Sequence, residues 1–130
     1  VGLLKLTPGT DAELLCYMLQ KYRALVIESF GVGGLPERGG AFRTAVEHAV
    51  RENRLVVLTT QVPSEGTDLS VYRVGSRLKE SCGIIECFDM TPESVLAKLM
   101  WILSVASDRS ERIRLFYGSV NHDICFSDGV

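Results

Sequence analysis

The sequence has few of the features that mark metal-binding, membrane-spanning or nucleic-acid-binding proteins. Its four cysteines include no CxxC pair, and neither of its two histidines stands at zinc-finger spacing from them. No segment approaches the roughly 20 consecutive apolar residues of a membrane span. The formal net charge is -2 and the bases are scattered singly, so no basic stripe could neutralise a run of phosphates. We therefore expect no metal, no membrane and no nucleic acid as direct partners.

The first residues, VGLLKLTPGT, contain neither a charged leader nor the apolar run and small-residue cleavage site of a secretory signal, unless one was removed with an upstream part of the chain. The cysteine pattern favours a reduced cytosolic protein. His48 and His122 lack a carboxylate or cysteine partner at a useful spacing and are interpreted as surface or packing residues. We expect small buried thiols at all four cysteines: Cys16, Cys82, Cys87 and Cys125.

Length and composition predict one globular domain over residues 1–130. A chain of 130 residues with 46% hydrophobic and 23% charged residues is long enough for one continuous core and too short for two. No internal repeat, low-complexity segment or linker divides it.

Apolar runs alternate with amphipathic segments along the chain. Strands are predicted at residues 2–6, 24–27, 55–58 and 84–87, and the two central runs lack polar alternation, as expected for strands covered on both faces. A capping box of Thr10 and Glu13 starts the first predicted helix, whose core face is Leu14, Leu15, Met18 and Leu19. The other predicted core faces are Ala41, Phe42, Ala45, Val46, Ala49 and Val50; then Val74, Leu78 and Cys82; and then Val95, Leu96, Leu99, Met100, Ile102 and Leu103.

The last of these helices has Thr91 as its N-cap and Pro92 at its first position. The order of strands and helices predicts an α/β fold, doubly wound around a short, mostly parallel sheet of about four strands. The tail after Ser107 is not assigned to an element.

Two loops follow predicted strands at the edge where α/β sheets bind ligands, residues 31–36 and 59–72. The first is rich in glycine, but it lacks both GxGxxG and GxxxxGK[ST], which favours a tight turn over a phosphate site. The second is rich in hydroxyl and carboxylate groups and is either solvated or able to orient a small polar substrate. Nucleophile-elbow and Cys-His patterns are both lacking, so no catalytic residue is assigned.

These loops resemble parts of the L-asparaginase family. Residues 31–36, GVGGLP, resemble its GVGNxP loop, and Thr60-Gln61 resembles its TQC segment. Tyr72 with Gly75, residues 83–85 and the DMTPE run at residues 89–93, followed by AKL at 97–99, resemble its Y-x-x-G, GVI and DMTxEAxxxKL elements. The elements occur in the family's order over about residues 2–104.

The resemblance implies a fold and a role. Members have two α/β domains, and the larger N-terminal one carries two threonines, an Asp and a Lys that hydrolyse L-asparagine to L-aspartate and ammonia through a covalent acyl-enzyme. This sequence matches none of those motifs, so it is similar to the smaller C-terminal domain, a three-layer flavodoxin/Rossmann-like unit, without the N-terminal catalytic domain. That domain completes a neighbouring subunit's site within a homodimer or tetramer. The chain alone is expected to be inactive, and no cofactor is implied.

Carried over by position, the resemblance implies substrate-binding roles, directed at the neighbouring subunit's site, for Gly34, Pro36, Thr60, Gln61 and Tyr72. Tyr72 and Pro36 favour the cytoplasmic type I enzymes over the secreted ones. The sequence departs from the pattern in three places.

The departures are Gly34, which lacks the asparagine side chain of the loop, Val62, which replaces the cysteine of TQC, and Glu65-Gly66, which stands where many relatives have Gly followed by another residue. In addition, Glu28 puts a carboxylate just before the first loop, where some relatives have Arg. Two alternatives remain open. One is the D subunit of the archaeal glutamyl-tRNA amidotransferase, which shares the asparaginase fold. The other is a non-catalytic, flavodoxin-like binding module.

Overall fold

Four short strands lie side by side in chain order in the computed structural model, which describes residues 1–36, 38–62, 66–70, 79 and 82–125. They are β1 (Gly2–Lys5), β2 (Ala24–Ser29), β3 (Leu55–Thr60) and β4 (Ile85–Glu86), and each neighbouring pair is parallel. The α/β fold with a parallel sheet is confirmed.

Helices cover both faces of this sheet and give three layers. On one face lie α1 (Ala12–Lys21) and α2 (Ala41–Arg51), the latter preceded by a 3₁₀ turn at Arg38–Gly40. On the other lie α3 (Pro92–Val105) and α4 (Arg109–Tyr117). Among the described residues, no helix has the length and apolar character needed to cross a lipid bilayer.

Alternate side chains of β2 and β3 point to opposite faces of the sheet and pack into two separate cores. Both faces are covered, which explains why these strands are apolar without alternation. Leu25, Ile27, Val56 and Leu58 pack toward α1 and α2. Ala24, Val26, Leu55 and Val57 pack toward α3 and α4. All eight are at most 1% exposed, and burying a Val, Leu or Ile side chain contributes about 1.5–3 kcal/mol, so the two strands anchor both cores.

The start of α1 differs from the prediction. Its N-cap is Asp11, whose carboxylate accepts a hydrogen bond from the Glu13 amide at 3.0 Å. The Thr10 hydroxyl instead accepts from the Thr7 amide at 2.7 Å and closes the preceding turn. The capping box of Thr10 and Glu13 is therefore wrong, because the hydroxyl is already used one turn earlier.

Some predicted core positions are also exposed. Leu14 on α1 is 47% exposed and Met100 on α3 is 64% exposed, since the apolar stripe of each helix is wider than the arc that the sheet covers. Cys82 and Cys87 are buried as predicted, whereas Cys16 and Cys125 are exposed. Cys16 directly follows the core residue Leu15 and is therefore turned about 100° away from it.

Part of the prediction falls outside the described residues, and one helix was missed. Val74 and Leu78 of the predicted third helix are not among the described residues, so that helix stays a prediction. Helix α4 comes from the unassigned tail, where Asp108 caps it by accepting from the Glu111 amide at 3.1 Å. Its sequence is strongly charged and carries little helical periodicity, which hid it.

A buried ion pair ties the end of the chain to α3. Lys98 Nζ lies 2.8 Å from an Asp123 carboxylate oxygen and donates to the Gly118 carbonyl at 2.7 Å. The Lys98 side chain is 3% exposed, so its charge depends on these partners. Burial would raise the pKa of Asp123, but the hydrogen bonds from Lys98 and the Val120 amide outweigh burial and lower it.

Asp123→Ala should lower the free energy of unfolding by about 3 kcal/mol at neutral pH, because it leaves a buried ammonium without its counter-charge. Since the folded pKa of Asp123 is lowered, its contribution is complete above the ordinary value of 3.8 and is lost as the pH falls through the folded value. Urea unfolding at a series of pH values measures both effects.

Glu111→Gln provides the control, because it breaks the exposed Arg114–Glu111 contact of 3.8 Å and should cost less than about 0.5 kcal/mol. Equal losses in the two variants, or a wild-type advantage that is constant on acidification, would contradict the assignment of the Lys98–Asp123 pair.

Candidate functional site

The two predicted loops meet at the carboxyl edge of the sheet. Ser29 and Thr60 pair in register at the ends of β2 and β3. The Thr60 hydroxyl donates to the Gly31 carbonyl and accepts from the Val62 amide at 2.9 Å. Thr60 therefore connects the end of β3 to the start of the 31–36 loop.

Gln61 connects the carboxyl ends of β1 and β2. Its Nε2 donates to the Leu6 carbonyl at 2.7 Å and to the Glu28 carbonyl at 3.0 Å. The Leu6 amide also donates to the Glu28 carbonyl at 3.0 Å. The side chain of Gln61 thus holds the chain beyond β1 against the end of β2.

The 31–36 loop is a tight turn, as predicted. The Gly33 and Gly34 amides both donate to the Phe30 carbonyl, at 3.1 and 2.7 Å, and the Phe30 amide donates to the Gly34 carbonyl at 3.0 Å. Gly33 has φ +138°, and a Cβ there would lie 2.6 Å from Leu69 Cδ2. These amides are used within the turn, which is why the loop is unlike a phosphate-binding loop.

The 66–70 loop packs against the 31–36 loop. The Asp68 amide donates to the Val32 carbonyl at 3.0 Å, and the Thr67 amide donates to the Phe88 carbonyl at 2.8 Å. Gly66 has φ +65°, and a Cβ at this position would lie 2.7 Å from the Phe88 carbonyl oxygen. The 66–70 loop therefore fits between the glycine turn and the segment after β4.

A pocket of about 290 Å³ opens at this edge. Three carboxylates, Glu28, Asp89 and Glu93, share it with one ammonium, Lys5, which lies 3.9 Å from Glu28. This balance suits a small polar ligand that carries a positive charge. The lining residues are Lys5, Glu28, Thr60, Gln61, Val62, Gly66, Asp89, Met90, Thr91, Pro92 and Glu93.

The structure brings together some of the predicted site residues. Thr60 and Gln61 line the pocket, whereas Gly34 and Pro36 lie in the adjoining loop and are not among the lining residues. Tyr72 lies outside the described residues. Sequence reasoning did not assign Lys5 or Asp89 to the site, although both stand at or just past a predicted strand, which is the signal that could have found them.

The pocket supplies polar contacts and no evident nucleophile among its lining residues. The Thr60 hydroxyl is hydrogen-bonded to the Gly31 carbonyl and the Val62 amide. The Thr91 hydroxyl accepts from the Ser94 amide at 3.2 Å as the N-cap of α3. Nearby, burial raises the pKa of Cys87 to about 11, against a hydrogen bond with Thr67, so this thiol is protonated at neutral pH. In the described part of the chain, no cluster of three His, Cys, Asp or Glu residues could hold a metal ion.

A larger groove of about 420 Å³ lies between α1 and α2. Its lining includes Leu19, Ala41, Ala45 and Ala49 and is mostly apolar. Although Gln20, Thr44, His48 and Glu52 also border it, most of its surface is apolar, so we place the candidate site at the more polar carboxyl edge of the sheet.

Comparison with known proteins agrees with this fold. The family model described as the glutaminase/asparaginase C-terminal domain matches residues 1–116. An L-asparaginase of Thermococcus kodakarensis is 41% identical over 108 residues, which are 83% of this chain and 32% of that protein. The D subunit of the glutamyl-tRNA(Gln) amidotransferase of Pyrococcus furiosus is 37% identical over 112 residues, 85% of this chain and 25% of that protein.

Solved structures agree with the sequence comparison. The thermostable L-asparaginase from Thermococcus kodakarensis superimposes with a TM-score of 0.89 at 36% identity, over 97% of this chain and 38% of that one. The chain thus spans about a third of the length of the asparaginase and a quarter of the amidotransferase relative.

Gly66→Ala should lower the free energy of unfolding by about 2–4 kcal/mol, because alanine disfavours a positive φ and its Cβ would press on the Phe88 carbonyl. Thermal or urea unfolding measures the loss. Gly9→Ala is the matched control: no atom lies within 4 Å of its Cβ position, and we expect a change within about 0.5 kcal/mol. A Gly66 variant as stable as the Gly9 variant would disprove the close approach of the loop to Phe88.

Proposed function

Because the chain belongs to the glutaminase/asparaginase C-terminal domain family, we propose that it is the C-terminal domain of an L-asparaginase, an amidohydrolase whose full-length form converts L-asparagine to L-aspartate and ammonia. The observation that carries this proposal is the continuous similarity over residues 1–116. The polar pocket at the carboxyl edge of the sheet supports it.

The proposal divides the labour between two domains. Residues 1–130 form the small domain, and a larger N-terminal domain supplies the threonine nucleophiles. The chain's length, about a third of that of the asparaginase relative, supports this division. So do the hydroxyls of Thr60 and Thr91, which serve as structural hydrogen-bond partners. The chain alone is inactive in this proposal.

The small domain positions substrate for a neighbouring subunit. We assign this role to the edge formed by Gly34, Pro36, Thr60, Gln61 and Tyr72, within a homodimer or tetramer in the cytoplasm and without a cofactor. The carboxylates of the pocket support it, since asparagine carries an α-ammonium group that opposite charges attract. Thr60 and Gln61 act by shaping the edge, because their donors are held by backbone carbonyls.

A second candidate is the D subunit of a glutamyl-tRNA amidotransferase, which the 37% identity to the Pyrococcus furiosus protein favours. It differs from the first in needing a tRNA-dependent complex. The third candidate is a free-standing binding module without catalytic activity. An upstream TGGT-type threonine motif in the parent gene would exclude this candidate.

The full-length protein that contains this chain should release ammonia and aspartate from L-asparagine without tRNA, measured by coupled ammonia detection. The 130-residue chain alone should show no activity, because the nucleophile lies in the other domain. A full-length protein that is inactive on asparagine would contradict the substrate assignment. Activity that requires charged tRNA and partner subunits would favour the second candidate, the amidotransferase subunit. An active fragment would overturn the division between domains.

Tyr72→Phe in the full-length enzyme should raise KM for asparagine several-fold, on the order of a lost hydrogen bond, with a smaller change in kcat. Tyr17→Phe is the control, because Tyr17 is 61% exposed on α1. Identical Michaelis parameters in wild type and the Tyr72 variant would remove Tyr72 from the site.

A further inference from the structure

One row of side chains across the sheet contains a carboxylate where the others are apolar. Leu4 pairs with Ile27, Ile27 with Leu58, and Leu58 with Glu86. The three apolar members belong to the core beneath α1 and α2. Glu86 is 1% exposed, so its carboxylate is withdrawn from water at the end of an apolar row.

Both oxygens of this carboxylate have partners. Oε1 accepts from the Leu69 amide at 2.7 Å, and Oε2 accepts from Lys79 Nζ at 2.9 Å. The hydrogen bond from Lys79 to Glu86 raises the pKa of Lys79 against partial burial, so the ammonium is charged at neutral pH. A buried carboxylate needs such partners, because its desolvation is otherwise very costly.

The Leu69 partner belongs to the loop that borders the candidate site. Leu69 is 1% exposed, and its Cδ2 occupies the space left by the missing side chain of Gly33. The adjacent Asp68 amide donates to the Val32 carbonyl at 3.0 Å. The Leu69 amide held by Glu86 thus lies next to both contacts that join the 66–70 loop to the 31–36 loop.

Stability alone does not account for a carboxylate in this place. An apolar side chain would continue the row, and replacing a buried ion pair by well-packed apolar residues is often neutral or stabilising. What an apolar side chain cannot do is accept a hydrogen bond from a loop amide. The specific consequence of Glu86 is therefore the placement of the 66–70 loop.

We propose that Glu86 is a positioning residue, which fixes the 66–70 loop against the 31–36 loop and thereby sets the affinity for the small polar substrate. The inference rests on the proposed function, since it concerns the same edge of the sheet. Glu86 acts through the Leu69 amide and does not itself line the pocket.

The test compares Glu86→Leu, Glu86→Gln and Glu86→Asp in the full-length protein. Glu86→Leu removes the acceptor and should raise KM for asparagine about tenfold, with kcat within about threefold, because the loop contributes to binding more than to chemistry. Glu86→Gln keeps an acceptor at the same reach and should restore KM to within about threefold of wild type. Glu86→Asp keeps the charge, but its shorter side chain does not reach the Leu69 amide, so its KM should exceed that of Glu86→Gln. If Glu86→Leu does not fold, Glu86→Asp serves as the variant without the hydrogen bond to Leu69.

Arg112→Met is the matched control for a loss of stability alone. Arg112 is 5% exposed on α4, and its Nε donates to the Ala106 carbonyl at 3.0 Å, away from both loops. Its melting temperature should fall while KM stays at the wild-type value. A Glu86→Leu variant that loses melting temperature but keeps the wild-type KM would overturn the proposal.

Amide hydrogen exchange of the same full-length variants separates this proposal from the proposed function. Exchange at Asp68 and Leu69 should accelerate at least about tenfold in Glu86→Leu and stay close to wild type in Glu86→Gln and Arg112→Met. If wild type does not act on asparagine, the proposed function fails and the substrate part of this inference fails with it. Unchanged protection at Leu69 in Glu86→Leu would overturn the positioning role whatever the activity.

Discussion

Backbone carbonyl groups at the carboxyl edge of the sheet, on Leu6 just after β1, on Glu28 in β2 and on Thr59 in β3, lie where the strand ladder ends and must be satisfied there. Side chains at the same edge donate to them. Gln61 donates to the carbonyls of Leu6 and Glu28, and the Ser29 hydroxyl donates to the Thr59 carbonyl at 2.6 Å. Polar side chains at this edge thus have a structural role, because they donate hydrogen bonds to backbone carbonyls where the strands end.

The opposite edge of the sheet is held by one side chain from the tail. Arg109 donates to the Arg54 carbonyl at 2.9 Å and to the Gly83 carbonyl at 2.8 Å, which lie just before β3 and β4. Burial, together with the nearby Arg112 charge, lowers the pKa of Arg109. The amino edge is therefore closed by a cation with fixed contacts, whereas the carboxyl edge opens into the polar pocket.

The sequence predicted the features that depend on local pattern. Apolar runs without alternation marked β2 and β3, because only strands covered on both faces can be apolar at every position. Thr91 and Pro92 marked the start of α3 for equally local reasons. What failed depended on distant partners. The fully buried residues of helix α4 are Arg112 and Phe116. A buried arginine cannot be predicted from a local pattern, because its burial depends on a distant acceptor, here the Ala106 carbonyl.

The site shows the same division between local and distant information. The motif pattern predicted Thr60 and Gln61 as substrate contacts. The structure places both in the pocket at the carboxyl edge of the sheet, with their side-chain donors directed at backbone carbonyls. Asp89 joins them from a distant part of the chain, because β4 ends beside β3, and the Cys125 amide donates to its carboxylate at 2.8 Å. Since Thr60, Gln61 and Asp89 are already hydrogen-bonded, this part of the pocket wall has its shape before a ligand arrives. Such a wall loses little conformational entropy on binding, which suits the proposed role of completing a site whose reactive groups come from another domain.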